Sequence, residues 1–409
     1  MRVTSRFWFL LWCTAATAAE PVRVAVLEPL SGPFANVGES NQRALQLAVG
    51  AVNARGGVLG GRKLEPVFFD HKMNAQEALL ALTQVADRGI PYVVQGSGVN
   101  VTLALSDAIA KHNQRRPDQP MLFMIHSGPD PVLANAKCHF LQFRVMPDTD
   151  TLMEVMTSHI AARPEVKRVY LVNQDYAYGQ ALSRGAKLLL AAKRPDILIV
   201  GDDLHPLGKV KDFAPYVAKI KAARADTVIT GNWGNDLVLL IRAGREASID
   251  VSYYTLWGGI FGAPTAIGEA GIGQMKVISV WHANISERSV HSALDYRTRF
   301  PEVRDDLYGT WIRLAVEMLA RAIDKAGSDY PPKVARALEE MRLEDDAGEV
   351  WMRRDNHQLL QPIFVSTFAP VNGNDVKIDI EHTGLGFRTE ERVEAKDTAL
   401  PTTCRMERF

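Results

Sequence analysis

The alternation of short apolar strands with amphipathic helices is the feature that most constrains the fold of this 409-residue chain. In the first unit, Val24–Leu27 is an apolar run typical of a strand buried on both faces. The loop Ser31–Gly38 interrupts it, apolar residues then recur at helical spacing over Ala44–Val52, and Gly56 stops the helix. A buried strand followed directly by an amphipathic helix is half of a βαβ unit, which predicts a parallel sheet.

The pattern recurs in two series, which indicates two lobes. In the first series, further strands are predicted near residues 63–69, 92–95 and 121–125. After a short extended segment at 140–144, the second series has predicted strands near residues 169–173, 197–200, 227–230, 252–256 and 276–281. A long helix is predicted over 306–326, and the tail 384–409 is polar with little periodicity. We therefore predict an α/β fold with two doubly wound parallel-sheet lobes, since the length exceeds that of one typical core.

The N-terminus has the pattern of a secretory signal peptide. Two arginines stand among the first six residues, the segment 7–13 is apolar, and small residues allow cleavage near Ala18 or Ala19. The apolar run is too short to span a bilayer, and no later stretch is long and apolar enough. Cys13 raises a lipoprotein alternative, although Trp12 stands where a small residue is expected. We expect an exported chain that lacks residues 1–19.

Charge and cysteine content exclude several classes of function. The chain has 47 basic and 47 acidic residues. This balance of charge gives no indication of a nucleic-acid-binding groove or of a polybasic patch for a membrane surface. Cys138 and Cys404 would form one disulfide in an exported chain, with two free thiols as the alternative. The common hydrolase, phosphate-loop and zinc-protease motifs are absent, and no His or Cys pair has metal-ligand spacing. We expect no enzyme activity, cofactor or metal.

Three segments carry a resemblance to a known family. They are L-S-G-P-x-A-x-x-G at 30–38, V-N-A-R-G-G-V-L-G-G-R-K-L at 52–64 and D-H-K-M-N-A-Q-E-A at 70–78. The chain resembles, from about Val22 to its C-terminus, the leucine/isoleucine/valine-binding protein family. Those proteins are the periplasmic receptors of branched-chain amino acid ABC importers.

The resemblance implies the type I periplasmic binding protein fold, in which a hinge with several chain crossovers joins the two lobes. We expect crossovers near Arg144, Val277 and Asp355. Lobe 1 would comprise residues 20–144 plus 277–355. Lobe 2 would comprise 145–276 plus 356–409, including the C-terminal tail.

In open α/β sheets, ligands bind beyond the carboxyl ends of the strands, and polar candidates collect there. Ser97 lies in a glycine-rich loop before a helix, where an anion such as a carboxylate is favoured; the alternative is that it only caps the helix. The family places a carboxylate-binding serine in the matching loop. Ser127 lies in a loop that the resemblance implies also holds the ligand, whereas its neighbour His126 is either a ligand contact or a structural hydrogen-bonding residue.

Aromatic residues form the second group of candidates. Tyr178, in D-Y-A-Y-G, matches a ligand-contacting tyrosine of the family, and Tyr176 is the neighbouring alternative. Trp233 and Trp257 follow two successive strands and would form an apolar wall, with core packing as the alternative. Phe34, with Glu28 and Asn36, is a weaker candidate for the wall of the pocket.

One departure from the family concerns the ligand's ammonium group. Leucine-binding members carry an acidic residue near the position of Gly258, but residues 257–261 here are W-G-G-I-F. An unpaired buried ammonium is costly, so either Asp175 supplies the missing charge or the ligand has no ammonium. An aromatic or short aliphatic carboxylate is then a candidate beside an amino acid.

These observations predict a monomeric periplasmic solute-binding protein of an ABC importer. It would trap a small amino acid or related carboxylate between its lobes and deliver it to a membrane permease, which is driven by its ATPase. The alternatives are a periplasmic ligand sensor that feeds a membrane receptor and, less favoured, an exported enzyme.

Overall fold

A computed structural model of the chain describes residues 20–306 and 309–408. The predicted signal peptide, residues 1–19 with Cys13, lies outside the described residues. Within the described ranges, no helix combines the length and the apolar character that crossing a membrane requires.

The first lobe is built on a five-stranded sheet in the order β2-β1-β3-β4-β5, and all of its strand pairs are parallel, as predicted. Its strands are β1 (Val22–Glu28), β2 (Leu64–Asp70), β3 (Tyr92–Gln95), β4 (Leu122–Ile125) and β5 (Gln142–Arg144). Its connecting helices are α1 (Ala35–Ala54), α2 (Ala75–Asp87) and α3 (Val99–Arg115). Asn74 caps the N-terminus of α2, because its side chain accepts hydrogen bonds from the N–H groups of Gln76 and Glu77.

The second lobe is built on a seven-stranded sheet in the order β15-β14-β10-β9-β8-β6-β7. Its strands are β6 (Arg168–Gln174), β7 (Leu198–His205), β8 (Thr227–Thr230), β9 (Ser252–Thr255), β10 (Met275–Ser279), β14 (Ile363–Pro370) and β15 (Leu385–Val393). Its helices are α4 (Thr149–Ala161), α5 (Ala177–Lys193), α6 (Ala214–Ala222), α7 (Asn235–Glu246) and α8 (Ala263–Ile267). The sheet is parallel from β7 to β10, whereas β14 and β15 are antiparallel.

Strand β15 corrects the prediction that the tail has no regular structure. It is an edge strand, since β14 is its partner and it ends the sheet order. Within β15, only Leu385–Phe387 is buried. Residues 388–392 are charged or polar, and the strand ends at Val393. An edge strand tolerates such charges, which hide the period-2 pattern expected of a strand.

A third, antiparallel sheet and three helices complete the chain. The sheet contains β11 (Arg342–Asp345), β12 (Gly348–Met352) and β13 (Leu359–Leu360). The helices are α9 (Glu287–Arg299), α10 (Thr310–Ala326) and α11 (Pro331–Leu338). The packing of α10 against α1 and α11 places α10 and α11 with the first lobe.

The chain passes between the two large sheets in three segments, at residues 145–148, 280–286 and 361–362. The first and third lie side by side: Gln361 Nε2 donates to the Val145 carbonyl at 2.7 Å, and Arg144 N donates to the His357 carbonyl at 2.9 Å. A bundle of adjacent crossovers can act as a hinge, because a few residues absorb the change in backbone angles. The exact domain boundaries stay a prediction.

The C-terminal segment beyond β15 returns to the first lobe, whereas the sequence places it with the second. A disulfide joins Cys404 to Cys138, with Cα atoms 5.8 Å apart, and these are the two cysteines predicted to pair. Thr403 N donates to Asn135 Oδ1 at 2.9 Å, and Arg408 Nε donates to Glu339 Oε1 at 2.9 Å. These partners lie 69–268 residues away in sequence, so no local pattern predicts the contact.

His282, in the second crossover, is buried as a neutral side chain. Its Nδ1 accepts from Asn284 N at 3.2 Å, which leaves the proton on Nε2, 2.9 Å from Ser366 Oγ and 3.0 Å from Thr389 Oγ1. Burial lowers the pKa of His282 to about 3. The charged form is disfavoured because water is excluded.

This burial predicts an acid-dependent loss of stability. A histidine in the unfolded chain has a pKa of about 6.5. Between pH 6.5 and about pH 3, His282 is therefore protonated in the unfolded state but neutral in the folded state. The free energy of unfolding should therefore fall by about 1.4 kcal/mol per pH unit from this residue as pH drops below 6.5. Urea unfolding at pH 7, 6 and 5 measures the free energy of unfolding, which should fall less steeply with decreasing pH in His282→Gln than in wild type. The exposed His382→Gln is the control, and equal slopes in wild type and His282→Gln would contradict the prediction.

Candidate ligand-binding site

The carboxyl ends of the parallel strands in the two lobes meet through an aromatic contact. Phe34 precedes α1 in the first lobe, and Trp233 follows β8 in the second. Their ring centroids are 6.1 Å apart, and both side chains are half-buried. The structure is therefore closed at this point of the cleft, and the predicted pocket-wall residue Phe34 lies in it.

Four aromatic residues of the second lobe form one continuous surface, which we call the aromatic wall: Tyr176, Tyr178, Trp233 and Trp257. Trp257 Nε1 donates to Tyr178 Oη at 2.7 Å, and Trp233 Nε1 donates to Tyr176 Oη at 3.1 Å. The two tyrosine rings are 5.8 Å apart, and Tyr178 and Trp257 are 6.4 Å apart. The sequence treats Tyr176 and Tyr178 as alternatives, but the structure brings both together with the two tryptophans.

The tyrosines of the aromatic wall are neutral hydrogen-bonding groups. Burial raises the pKa of Tyr176 to about 12 and raises the pKa of Tyr178 further. Each oxygen accepts from an indole N–H, and a phenol that accepts can still donate its own hydrogen. The wall thus offers apolar surface together with two hydroxyl donors.

In the first lobe, Glu28 is the centre of a buried polar cluster. It is only 1% exposed and accepts from His126 Nε2 at 2.6 Å, Ser97 Oγ at 2.5 Å and Asn41 Nδ2 at 2.9 Å. Burial by itself raises the pKa of Glu28, but the charge of His126 and these three hydrogen bonds together lower the pKa below its usual value. The cluster is therefore built around a carboxylate.

This cluster changes the expected roles of Ser97 and His126. The single hydroxyl hydrogen of Ser97 goes to Glu28, so the side chain cannot also donate to a ligand carboxylate. His126 is 2% exposed and uses Nε2 within the lobe, as in the structural alternative. Both side chains face inward, because their shared partner Glu28 lies beneath the loops rather than in the cleft.

The cluster instead positions two loops, 96–98 and 126–128, against each other. A Cβ atom at Gly96 would lie 2.5 Å from Ser127 N and 2.5 Å from the His126 ring, so only glycine fits there. Helix α3 begins at Val99 with no side-chain cap on its first turn. Uncapped backbone N–H groups at a helix N-terminus favour an anion, so a carboxylate subsite at this turn stays a prediction that does not require the serine hydroxyl.

Ser127 of the first lobe and Asp175 of the second are the two remaining polar candidates. Ser127 Oγ has a weak partner, the Met146 sulfur at 3.4 Å, and the residue is half-buried. Asp175 is exposed and accepts from Gln180 Nε2 at 2.9 Å. Its role as partner of a ligand ammonium stays a prediction.

Sequence reasoning missed two further tryptophans. Trp281 and Trp311 line a cavity at the hinge together with Trp257 of the aromatic wall. The signal for Trp281 was present, since it follows β10 as Trp257 follows β9. The predicted strand ran through Trp281 and the predicted helix ran through Trp311, so neither was expected to face a cavity.

Comparison with known proteins gives the chain a family. Residues 21–373 match the family described as periplasmic binding protein. A protein of Brucella melitensis named Leu/Ile/Val-binding protein homolog 4 is 29% identical over 381 residues, which are 91% of this chain and 89% of that protein.

Solved structures agree with this assignment. A leucine-, isoleucine-, valine-, threonine-, and alanine-binding protein from Brucella ovis, in its closed conformation, superposes with a TM-score of 0.85 at 27% identity, over 95% of this chain and 100% of that one. A solute-binding protein of an ABC transporter from R. palustris, solved in complex with benzoate, shares the fold with a TM-score of 0.75 at 17% identity, over 94% of this chain and 99% of that one. The match over residues 21–373 therefore places the chain in the periplasmic binding protein family.

Proposed function

We propose that this protein is the periplasmic solute-binding component of an ABC importer and that it delivers a small carboxylate or amino acid to a membrane permease. The observation that carries the proposal is the aromatic wall of the second lobe, closed onto Phe34 of the first lobe by the contact with Trp233. The family consists of binding proteins, so trapping and release, without turnover, account for this arrangement.

The two lobes contribute complementary groups. The first turn of α3 and the loop that contains Ser127 hold the carboxylate, because backbone N–H groups and the positive end of a helix favour an anion. Tyr178 and Trp257 cover the body of the ligand and supply a hydroxyl that fixes its orientation. Closure about the hinge buries the ligand and creates the surface that the permease recognises.

Within this function, we favour a carboxylate that carries no ammonium group. The segment after β9, at 257–261, contains no acidic residue, and an unpaired ammonium buried there would be costly. The relative from Brucella ovis is named for amino acids, and the similar structure from R. palustris holds benzoate, so both ligand classes fit the fold. Asp175 is the acid that an amino acid ligand would require.

A thermal-shift screen of residues 20–409 tests the proposal. The panel contains leucine, isoleucine, valine, benzoate, hydroxycinnamates, short aliphatic acids and small amides. A ligand that binds only the folded state adds about 2.7 kcal/mol of stability at a hundredfold excess over its dissociation constant. We expect acids to stabilise the protein more than amino acids do. If amino acids stabilise it instead, Asp175→Asn should abolish that effect, and no shift with any member would overturn the proposed ligand class.

For a compound that binds, Trp257→Ala should weaken affinity by about 10- to 100-fold, since truncating a buried aromatic anchor removes a large contact area. Titration calorimetry measures the change. Tyr330→Phe, at an exposed position next to α11, is the control and should leave affinity unchanged. Equal affinity of Trp257→Ala and wild type would place the ligand away from the aromatic wall.

A further inference from the structure

Among the residues that the structure describes, the cavity at the hinge contains two buried hydrogen-bond donors without an acceptor. Trp281, in the second crossover, and Trp311, in the first turn of α10, both line it. The Nε1 atoms of both indoles are buried and make no hydrogen bond to a described residue. Trp311 is 8% exposed. An indole can only donate, so each N–H requires an acceptor atom from outside the described side chains to be satisfied.

The acceptors that line the same cavity are already in use. Asp306 accepts from Arg297 through both oxygens and from Glu381 N, all at 2.7 Å. Asp379 accepts from Arg297 and from Gly384 N. A water molecule or a carbonyl oxygen can each accept from an indole N–H. The largely apolar lining of the cavity favours the carbonyl oxygen, set in an apolar body.

Trp257 belongs both to the lining of this cavity and to the aromatic wall, where its Nε1 donates to Tyr178. The remaining surface of the cavity is largely apolar, with side chains such as Leu256, Ile260 and Phe387. A ligand that lies against the aromatic wall and extends past Trp257 into the cavity would therefore remain in apolar surroundings.

We propose that the trapped ligand is an oxo-carboxylate whose remote carbonyl oxygen accepts hydrogen bonds from Trp281 and Trp311. This inference rests on the proposed function, which supplies the carboxylate at the other end of the ligand. It makes the two tryptophans specificity-determining residues, because a ligand with a methyl group in place of the carbonyl oxygen leaves both donors unpaired.

Two pairs of isosteric acids test the inference in titration calorimetry: 4-oxopentanoate against 4-methylpentanoate, and 4-acetylbenzoate against 4-isopropylbenzoate. In wild type, the oxo acid of at least one pair should bind about tenfold or more tightly than its methyl counterpart. Trp281→Phe and Trp311→Phe keep the aromatic ring but remove the N–H, and each should reduce that preference several-fold. Trp351→Phe is the matched control, because Trp351 lies on β12 outside the cavity and contacts Arg342.

A second readout does not depend on the variants. In nitrogen-15-labelled wild type, addition of the oxo acid should shift the indole N–H signals of Trp281 and Trp311 to lower field and leave that of Trp351 in place. Signals of Trp233 and Trp257 in the aromatic wall are not diagnostic, because any bound ligand can move them. Unchanged Trp281 and Trp311 signals on binding would contradict the inference.

The outcomes separate this inference from the function on which it rests. If both oxo acids fail to bind more tightly than their methyl counterparts while other acids or amino acids stabilise the protein, the oxo-acid inference is wrong and the binding function stands. The same conclusion follows if the preference persists unchanged in both phenylalanine variants. If no acid or amino acid binds wild type, the proposed function fails, and the oxo-acid inference fails with it.

Discussion

Replacing Glu28 by glutamine is expected to lower the free energy of unfolding by about 3 kcal/mol or more, because buried groups on His126, Ser97 and Asn41 lose the carboxylate that accepts from them. Glu28 and His126 are 1% and 2% exposed, and 2.6 Å separates their paired atoms. Glutamine keeps the shape but removes the charge, and its amide cannot accept from His126, Ser97 and Asn41 as the carboxylate does. Urea unfolding at pH 7 measures the change.

The same carboxylate gives the effect a pH dependence. The folded state lowers the pKa of Glu28, so its contribution to stability is complete above the unfolded value and is lost as the pH falls through the folded one. The difference between wild type and Glu28→Gln should therefore shrink in acid. Glu65→Gln, at an exposed position of β2, is the control and should change stability by less than about 0.5 kcal/mol. A Glu28→Gln variant as stable as this control would show that the cluster does not contribute to stability.

Glu28→Gln should also weaken ligand binding, although Glu28 does not face the cleft. The carboxylate connects Ser97 and His126, which belong to the two loops at the start of the carboxylate subsite. Without it, the backbone N–H groups of α3 lose their fixed position relative to Ser127. Titration calorimetry with a ligand from the screen measures this, and Glu65→Gln again serves as the control.

Removing the disulfide is the second change with a large expected effect. The double variant Cys138→Ser/Cys404→Ser should be less stable by about 2–5 kcal/mol, since the bond closes a long loop in the unfolded chain. The two cysteines are 266 residues apart in sequence, and the bond fixes the C-terminal segment to the first lobe. Urea unfolding of residues 20–409 measures the loss.

A reductant provides the control for the disulfide. Wild type unfolded in the presence of dithiothreitol should match the double variant, which itself should not respond to dithiothreitol. If oxidised and reduced wild type unfold at the same urea concentration, the disulfide does not stabilise the folded chain.

The sequence predicted best the elements whose signals are local. Strands β3 and β8 have the predicted ends, because each is a short apolar run stopped by glycine on its carboxyl side. Helix α5 begins at Ala177, so Tyr178, which the sequence places in a loop after β6, lies within its first turn. Strand β15 was missed because its outward charges on a sheet edge resemble a polar tail.

The sequence by itself determined the alternation of strands and helices, hence the α/β lobes, and it placed Trp233 and Trp257 after the carboxyl ends of two successive strands. Only the tertiary structure decided where the polar side chains point. Glu28 and His126 are separated by 98 residues, and Ser97 lies 69 residues from Glu28, so no local pattern indicates that they meet. A hydrogen bond depends on positions that the packing of the whole lobe defines, whereas a helix or strand depends on neighbours within a few residues.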